Sequence, residues 1–99
     1  MPQFDVYRLT GRSILLLDCQ NEYLGHLTTR FVVPLIPVGN APPQATRLNP
    51  LLSIDGEDFI LSPNAAATIR LKDMGQCIGS LGSAQDMIKA AIDQLITGF

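Results

Sequence analysis

The single histidine of this 99-residue chain, His26, is the first residue to consider for chemistry. Histidine is the usual general base of a hydrolytic site, where a carboxylate orients the ring and a nucleophile lies beside it. Nothing in the spacing places Asp18 or Glu22 against His26, so a loop histidine without catalytic duty is the favoured interpretation. One histidine and two distant cysteines, Cys19 and Cys77, also lack zinc-ligand spacing. We therefore predict no metal and no cofactor.

Two charged sets offer other chemistry. Asp55, Glu57 and Asp58 could hold a cation, but they fall on a predicted hairpin tip, where solvated carboxylates are normal. Arginines can also stabilise charge at a scissile phosphate and so support metal-independent RNA cleavage. The sequence does not show that its arginines converge, and scattered surface arginines are the simpler interpretation. The arginines considered are Arg12, Arg30, Arg47 and Arg70.

Size and composition predict one domain over residues 1–99, large enough for a single core. Only 16% of the residues are charged while 46% are hydrophobic, so we expect a partner, most simply a second copy, to cover part of the apolar surface. The net charge of −2 and the lack of a basic cluster argue against direct nucleic-acid binding. With no leader or membrane-length apolar run, we expect a cytoplasmic protein without membrane contact and with reduced thiols.

Alternating and apolar patterns predict six strands. The Ile14–Leu17 run is typical of a strand buried on both faces, and Pro34 belongs at an edge or bulge because it cannot donate a ladder hydrogen bond. Asp55-Gly56 indicates a type I′ hairpin turn. Gly75, Gly79 and Gly82 are interpreted as a loop, and residues 37–50 as the longest irregular stretch. The strands are predicted at Phe4–Tyr7, Ser13–Gln20, Arg30–Ile36, Leu51–Ile54, Glu57–Leu61 and Thr68–Leu71.

The C-terminal segment predicts an amphipathic helix. Ser83 is its expected N-cap, with Asp86 completing a capping-box-like pattern, and Gly98 is placed to end the helix in the left-handed conformation. Phe99 could fold back on the last turn or project as an anchor, and both possibilities remain open. Strands followed by one helix predict an α+β domain. The apolar stripe consists of Ala84, Met87, Ile88, Ala91, Ile92, Leu95 and Ile96.

Several segments together resemble the CcdB family of type II toxin-antitoxin toxins, in family order and across nearly the whole chain. The Arg-apolar-Val-Val-Pro-Leu block and the glycine-plus-apolar ending are the most distinctive. The segments are Gln3–Tyr7, Leu17–Gln20, Arg30–Leu35, Leu48–Leu51 continuing to Ile54–Gly56, and Ile88–Asp93 running into Gly98-Phe99.

The resemblance implies a curved antiparallel sheet, an open SH3-like barrel shared with MazF-like toxins, with a small second sheet and a C-terminal helix. It also implies a non-enzymatic homodimer whose C-termini lie close together. Such a dimer enters the DNA gyrase A subunit and traps the enzyme with cleaved DNA. A CcdA-like antitoxin neutralises the toxin and joins it in repressing the operon, so contact with DNA is indirect.

The family's target-binding tail falls on Ile96, Thr97, Gly98 and Phe99, with supporting positions at Tyr23, Leu24 and Asp93. At the position of Thr97 the best-known member has a tryptophan, which offers a larger contact area than threonine. Two alternatives to gyrase poisoning therefore stay open. One is a MazF-like endoribonuclease on the same fold, and the other is a paralogue that binds antitoxin without poisoning gyrase.

Overall fold

Seven strands and one α-helix make up the regular structure of residues 2–11, 14–40 and 46–98, the part of the chain that the computed structural model describes. The strands are β1 (Asp5–Leu9), β2 (Leu15–Asp18), β3 (Thr29–Pro37), β4 (Leu51–Ile54), β5 (Glu57–Leu61), β6 (Ala67–Arg70) and β7 (Met74–Ser80). The helix α1 spans Gln85–Thr97. In this part of the chain, α1 is the longest helix, and none is long and apolar enough to cross a membrane.

The strands form one antiparallel sheet in the order β4-β5-β3-β2-β1-β7, and β6 also pairs with β3. The nine-residue β3 has two successive partners on one side, because β6 pairs with Thr29–Val32 and β5 pairs with Leu35–Pro37. The small second sheet expected from the resemblance corresponds to the β4–β5 hairpin and the end of β3. It is continuous with the rest of the sheet through β3.

Pro34 lies on β3 between the residues that pair with β6 and those that pair with β5. Its carbonyl accepts a hydrogen bond of 3.0 Å from the backbone N–H of Ser62, which follows β5. The backbone nitrogen and carbonyl of a strand residue point to the same side of the strand. The nitrogen of Pro34, which carries no hydrogen, therefore faces the gap between β6 and β5. The prediction that Pro34 lies on an edge or at a bulge is therefore wrong, because β3 is a central strand in continuous register with β2. The proline is tolerated because β3 changes partner at this position on its other side.

The strand β2 is buried on both faces, as its apolar run predicts. Leu15 and Leu17 lie in the main core together with Ile88 and Ala91 of α1. Because side chains alternate along a strand, Leu16 and Asp18 lie on the opposite face, and both are buried there as well.

The predicted hairpins are present. β1 pairs with β2, and β4 pairs with β5 across Asp55 and Gly56, whose φ angles of 51° and 81° are those of a type I′ turn. Between residues 37 and 50, the structure places a 3₁₀ turn at Val38–Asn40. Residues 41–45 of the predicted irregular stretch and Arg12 and Ser13 of the first hairpin turn lie outside the described residues.

The prediction of a loop around Gly75 and Gly79 is wrong, because both glycines lie in β7, which pairs with β1. Two register shifts interrupt this pairing, and the glycines conceal the strand's alternating pattern. A Cβ on Gly75 would collide with the backbone carbonyl oxygen of Arg8 on β1. Glycine here permits close approach of two backbones.

Gly75→Ala is therefore expected to destabilise the fold by about 1–3 kcal/mol, the usual cost of overpacking. Gly39→Ala is the matched control, since nothing lies within 4 Å of the added Cβ there. Urea denaturation of both variants measures the difference. Equal stability of the two variants would contradict the close contact between β1 and β7.

The start of α1 differs from the prediction and its end agrees with it. The N-cap is Ala84 rather than Ser83, because a 3₁₀ turn at Gly82–Ala84 leads directly into the helix. The methyl side chain of Ala84 cannot form a capping hydrogen bond. Gly98 closes the helix with φ 81°, and its N–H donates to the carbonyl of Gln94. Ile88 and Ala91 face the core, whereas Met87, Leu95 and Ile96 of the predicted stripe are exposed.

Candidate functional site

A buried ion pair lies where β2 ends. Asp18 and Arg30 are only 0% and 1% exposed, and the Arg30 Nε and Nη2 both donate to Asp18 Oδ2, at 3.0 and 2.7 Å. The register places the two side chains on one face, since Asp18 pairs with Val32 and Arg30 is two residues before it. The pair thus ties β2 to β3 on the face away from the main core.

The 21–28 loop connects these strands and is exposed throughout. Its centre is a 3₁₀ turn, Glu22–Leu24, capped by Asn21, whose Oδ1 accepts from the Tyr23 N–H at 2.8 Å. The end of the loop is bonded to the residue that follows β6, as the Leu71 N–H donates to the Thr28 carbonyl at 2.8 Å.

Gln20 links this loop to the sheet. Its side-chain Nε2 donates to the Leu24 carbonyl at 2.9 Å, and its Oε1 accepts from the Phe31 N–H at 3.0 Å. Its own backbone N–H donates to Asp18 Oδ1 at 3.1 Å. Neither Gln20 nor the Asp18–Arg30 pair was among the predicted site residues.

The loop displays apolar side chains to solvent. Tyr23 is 91% exposed and Leu24 is 45% exposed. Three further exposed apolar residues lie on the loop or on the segments bonded to its ends, namely Leu27, Phe31 and Leu71. Large exposed apolar side chains gathered in one region are typical of a protein contact surface.

The end of α1 displays a second exposed set. Ile96 is 72% exposed and Leu95 is 46% exposed, although the helix is anchored by Ile88 and Ala91 one to two turns earlier. The Thr97 hydroxyl donates to the Asp93 carbonyl at 2.9 Å, a bond within the last turn. The last turn therefore carries its apolar side chains outward from a helix that is packed in the core.

The predicted binding residues fall on these two surfaces. The helix brings Asp93, Ile96 and Thr97 together at three- and four-residue spacing, followed directly by Gly98. Tyr23 and Leu24 are together on the separate 3₁₀ turn. Phe99 lies outside the described residues.

The arginines do not form a common site. Arg30 is committed to its buried ion pair with Asp18. Arg70 pairs with Thr29 across the sheet, so its side chain faces opposite to that of Arg30, and it forms an exposed ion pair with Asp73. Arg47 is exposed, and Arg12 lies outside the described residues. Arg47 and Arg70 are thus surface arginines as expected, whereas Arg30 is buried and departs from that expectation.

A cleft of about 740 Å³ opens beside β1, β2, β3 and the β4–β5 turn. Its described lining is mostly apolar and includes one cation, Arg8, with two carboxylates, Asp55 and Glu57. This charge balance is unsuited to holding a phosphate chain, which binds to clustered cations.

His26 is exposed on the loop, and the described residues contain no group of three or more side chains suited to a metal ion.

The two cysteines differ in environment. Cys19 is buried in the main core, and this burial, reinforced by the Asp18 charge, raises the pKa of its thiol to about 12. The thiolate is the reactive form of cysteine, so Cys19 is unsuited to act as a nucleophile. Cys77, in contrast, is exposed on β7.

The fold is shared with the solved structures of a toxin and of an endoribonuclease. The Mycobacterium tuberculosis toxin MazF-mt6 superimposes with a TM-score of 0.75 at 18% identity, over 93% of this chain and 95% of that one. An endoribonuclease from a mycobacterial species gives 0.77 at 15% identity, over 96% and 90%. These similarities confirm the expected fold class, a curled antiparallel half-barrel with a C-terminal helix, and at such identities they show the fold alone.

Comparison of the sequence with protein-family models establishes the family. The family model for the CcdB protein matches residues 3–98, and the chain belongs to the CcdB family. A comparison with curated proteins gave no match.

Proposed function

We propose that this CcdB-family toxin acts in the cytoplasm as a non-enzymatic poison of DNA gyrase. A homodimer binds the gyrase A subunit and traps the complex of gyrase with cleaved DNA. The observation that carries the proposal is the exposure of Tyr23 and Ile96, 91% and 72%. Tyr23 lies on a turn held by hydrogen bonds, and Ile96 lies on a helix packed in the core. Aromatic and large apolar side chains are favoured anchors of protein interfaces.

The docking tip consists of Ile96, Thr97, Gly98 and Phe99, with Tyr23, Leu24 and Asp93 in support. In a two-fold dimer, each tip meets an equivalent surface of a two-fold symmetric target such as gyrase A. Dimer formation also accounts for the low charged fraction of the chain, 16%, because the second copy covers apolar surface. A CcdA-like antitoxin neutralises the dimer and, together with it, represses the operon, which makes contact with DNA indirect.

A gyrase cleavage assay tests the proposal. Purified protein is incubated with gyrase and supercoiled plasmid, followed by denaturant and protease, and linear DNA is scored. We expect linear DNA with the full chain and none after deletion of Gly98-Phe99, with an unchanged circular dichroism spectrum. Absence of linear DNA with the folded full-length dimer would reject gyrase poisoning.

RNA cleavage is the second candidate, because the structurally similar mycobacterial protein is an endoribonuclease. The separated arginines and the mixed charge of the cleft weigh against it. Cleavage of RNA by pure protein in EDTA, tolerant of tail deletion, would favour this candidate. If neither gyrase nor RNA is affected, the third possibility is a paralogue that binds antitoxin but has lost poisoning, with Thr97 as the first position to examine.

A further inference from the structure

We infer that Gln20 is a positioning residue for target binding and that the buried Asp18–Arg30 pair holds it in place. Gln20 fixes the 21–28 loop and so the direction in which Tyr23 projects. This inference rests on the proposed function, in which Tyr23 and Leu24 support the contact with gyrase.

The first argument is the position of the Gln20 amide. Both of its ends are bonded to main chain, its Nε2 to the Leu24 carbonyl and its Oε1 to the Phe31 N–H. Its side chain is buried, 8% exposed, whereas the loop that it holds is exposed at every residue from 21 to 28. One buried side chain thus joins the middle of an exposed loop to the sheet.

The second argument is the way in which the β2–β3 pairing ends. The Cys19 N–H still donates to the Phe31 carbonyl at 2.9 Å. In a regular pair, the Phe31 N–H would donate back to the Cys19 carbonyl. Here the Phe31 N–H donates to the Gln20 side chain instead, and the Cys19 carbonyl accepts from Gln3 Nε2 at 3.1 Å. The Gln20 amide therefore takes a ladder position at the point where the loop leaves the sheet.

The third argument is that the two carboxylate oxygens of Asp18 accept hydrogen bonds from different groups. Both Arg30 donors bond to Oδ2, which leaves Oδ1 to accept the Gln20 backbone N–H. A fork-like arginine contact would instead occupy both carboxylate oxygens. Arg30 thus orients a carboxylate whose free oxygen fixes Gln20, and Gln20 in turn fixes the Tyr23 turn. A preorganised loop loses less conformational freedom on binding.

The test compares two nearly isosteric substitutions of amide side chains. Gln20→Met removes the bonds to Leu24 and Phe31. Asn49→Leu is the matched control, because Asn49 Nδ2 donates to the Leu61 carbonyl at 3.0 Å on β5 and has no bond to the loop. Both variants are measured for thermal stability, for affinity to purified bacterial gyrase A subunit, and for backbone NMR order parameters.

We expect Gln20→Met to lower affinity for gyrase A at least tenfold while Asn49→Leu stays within twofold, at similar losses of thermal stability. Order parameters of residues 22–27 should fall below about 0.6 in Gln20→Met alone. A loop that stays ordered in Gln20→Met, or equal losses of affinity in both variants, would overturn the inference. If the wild-type protein does not bind gyrase A, the proposed function fails, and the order parameters alone decide whether Gln20 holds the loop.

Discussion

Arg30→Met is expected to lower the free energy of unfolding by about 3–5 kcal/mol, because it leaves the fully buried Asp18 carboxylate without its cation. Both short hydrogen bonds to Asp18 Oδ2 are lost in this variant. Urea denaturation measures the effect, at one fixed protein concentration because the stability of the proposed dimer would depend on concentration.

Arg70→Met is the matched control for this prediction. The Arg70–Asp73 pair has side chains that are 66% and 38% exposed, and exposed pairs contribute at most about 1 kcal/mol. Combining Arg30→Met with Asp18→Leu should recover much of the lost stability, because no buried charge then remains unpaired. An Arg30→Met variant as stable as Arg70→Met would show that Asp18 is not buried in solution.

Tyr23→Ser and Ile96→Ser are each expected to weaken binding to gyrase A by about 30-fold or more, the effect of losing an interface anchor of about 2 kcal/mol. Since both side chains are largely exposed, the free energy of unfolding should change by no more than about 0.5 kcal/mol. Isothermal titration calorimetry with purified gyrase A subunit measures the affinity, and urea denaturation measures the stability.

Leu51→Ser on the edge strand β4 controls for the loss of any exposed apolar side chain, since Leu51 is 44% exposed and lies on neither surface. It should leave affinity unchanged. If Tyr23→Ser and Ile96→Ser bind as tightly as Leu51→Ser, the two surfaces are not the docking site, and a different part of the protein must contact the target.

Local chemistry made much of the fold predictable. Asp55-Gly56 strongly favours a type I′ turn, and both strands beside it were predicted with their observed bounds, Leu51–Ile54 and Glu57–Leu61. Gly98 closes the helix because its positive φ is intrinsic to a glycine C-cap. These features depend on a few neighbouring residues, which a sequence displays directly.

The errors arose where distant segments decide the structure. β7 is glycine-rich because the backbone of β1 approaches it closely, and β1 is about seventy residues earlier in the chain. Ser83 has the residue type of a helix cap, yet the preceding 3₁₀ turn moves the helix start past it. Residue type alone cannot reveal either effect.

The candidate site was predictable only in part. The family resemblance supplied Tyr23 and Ile96, and the structure independently places both side chains in solvent. One feature of the sequence indicates the Asp18–Arg30 pair, namely an ionisable residue at the end of a strand predicted to be buried on both faces. Gln20 left no comparable signal, since its role depends on the path of the loop.

Pro34 also limits which wrong structures this sheet can adopt. Its missing N–H removes no ladder hydrogen bond only because it lies at the gap on β3 between the residues paired with β6 and those paired with β5. Sliding either neighbour along β3 would set a residue without an N–H opposite a carbonyl that needs a donor, and a one-residue slip would also turn buried side chains outward. A single proline in the central strand thus discriminates against misaligned pairings with two neighbours at once.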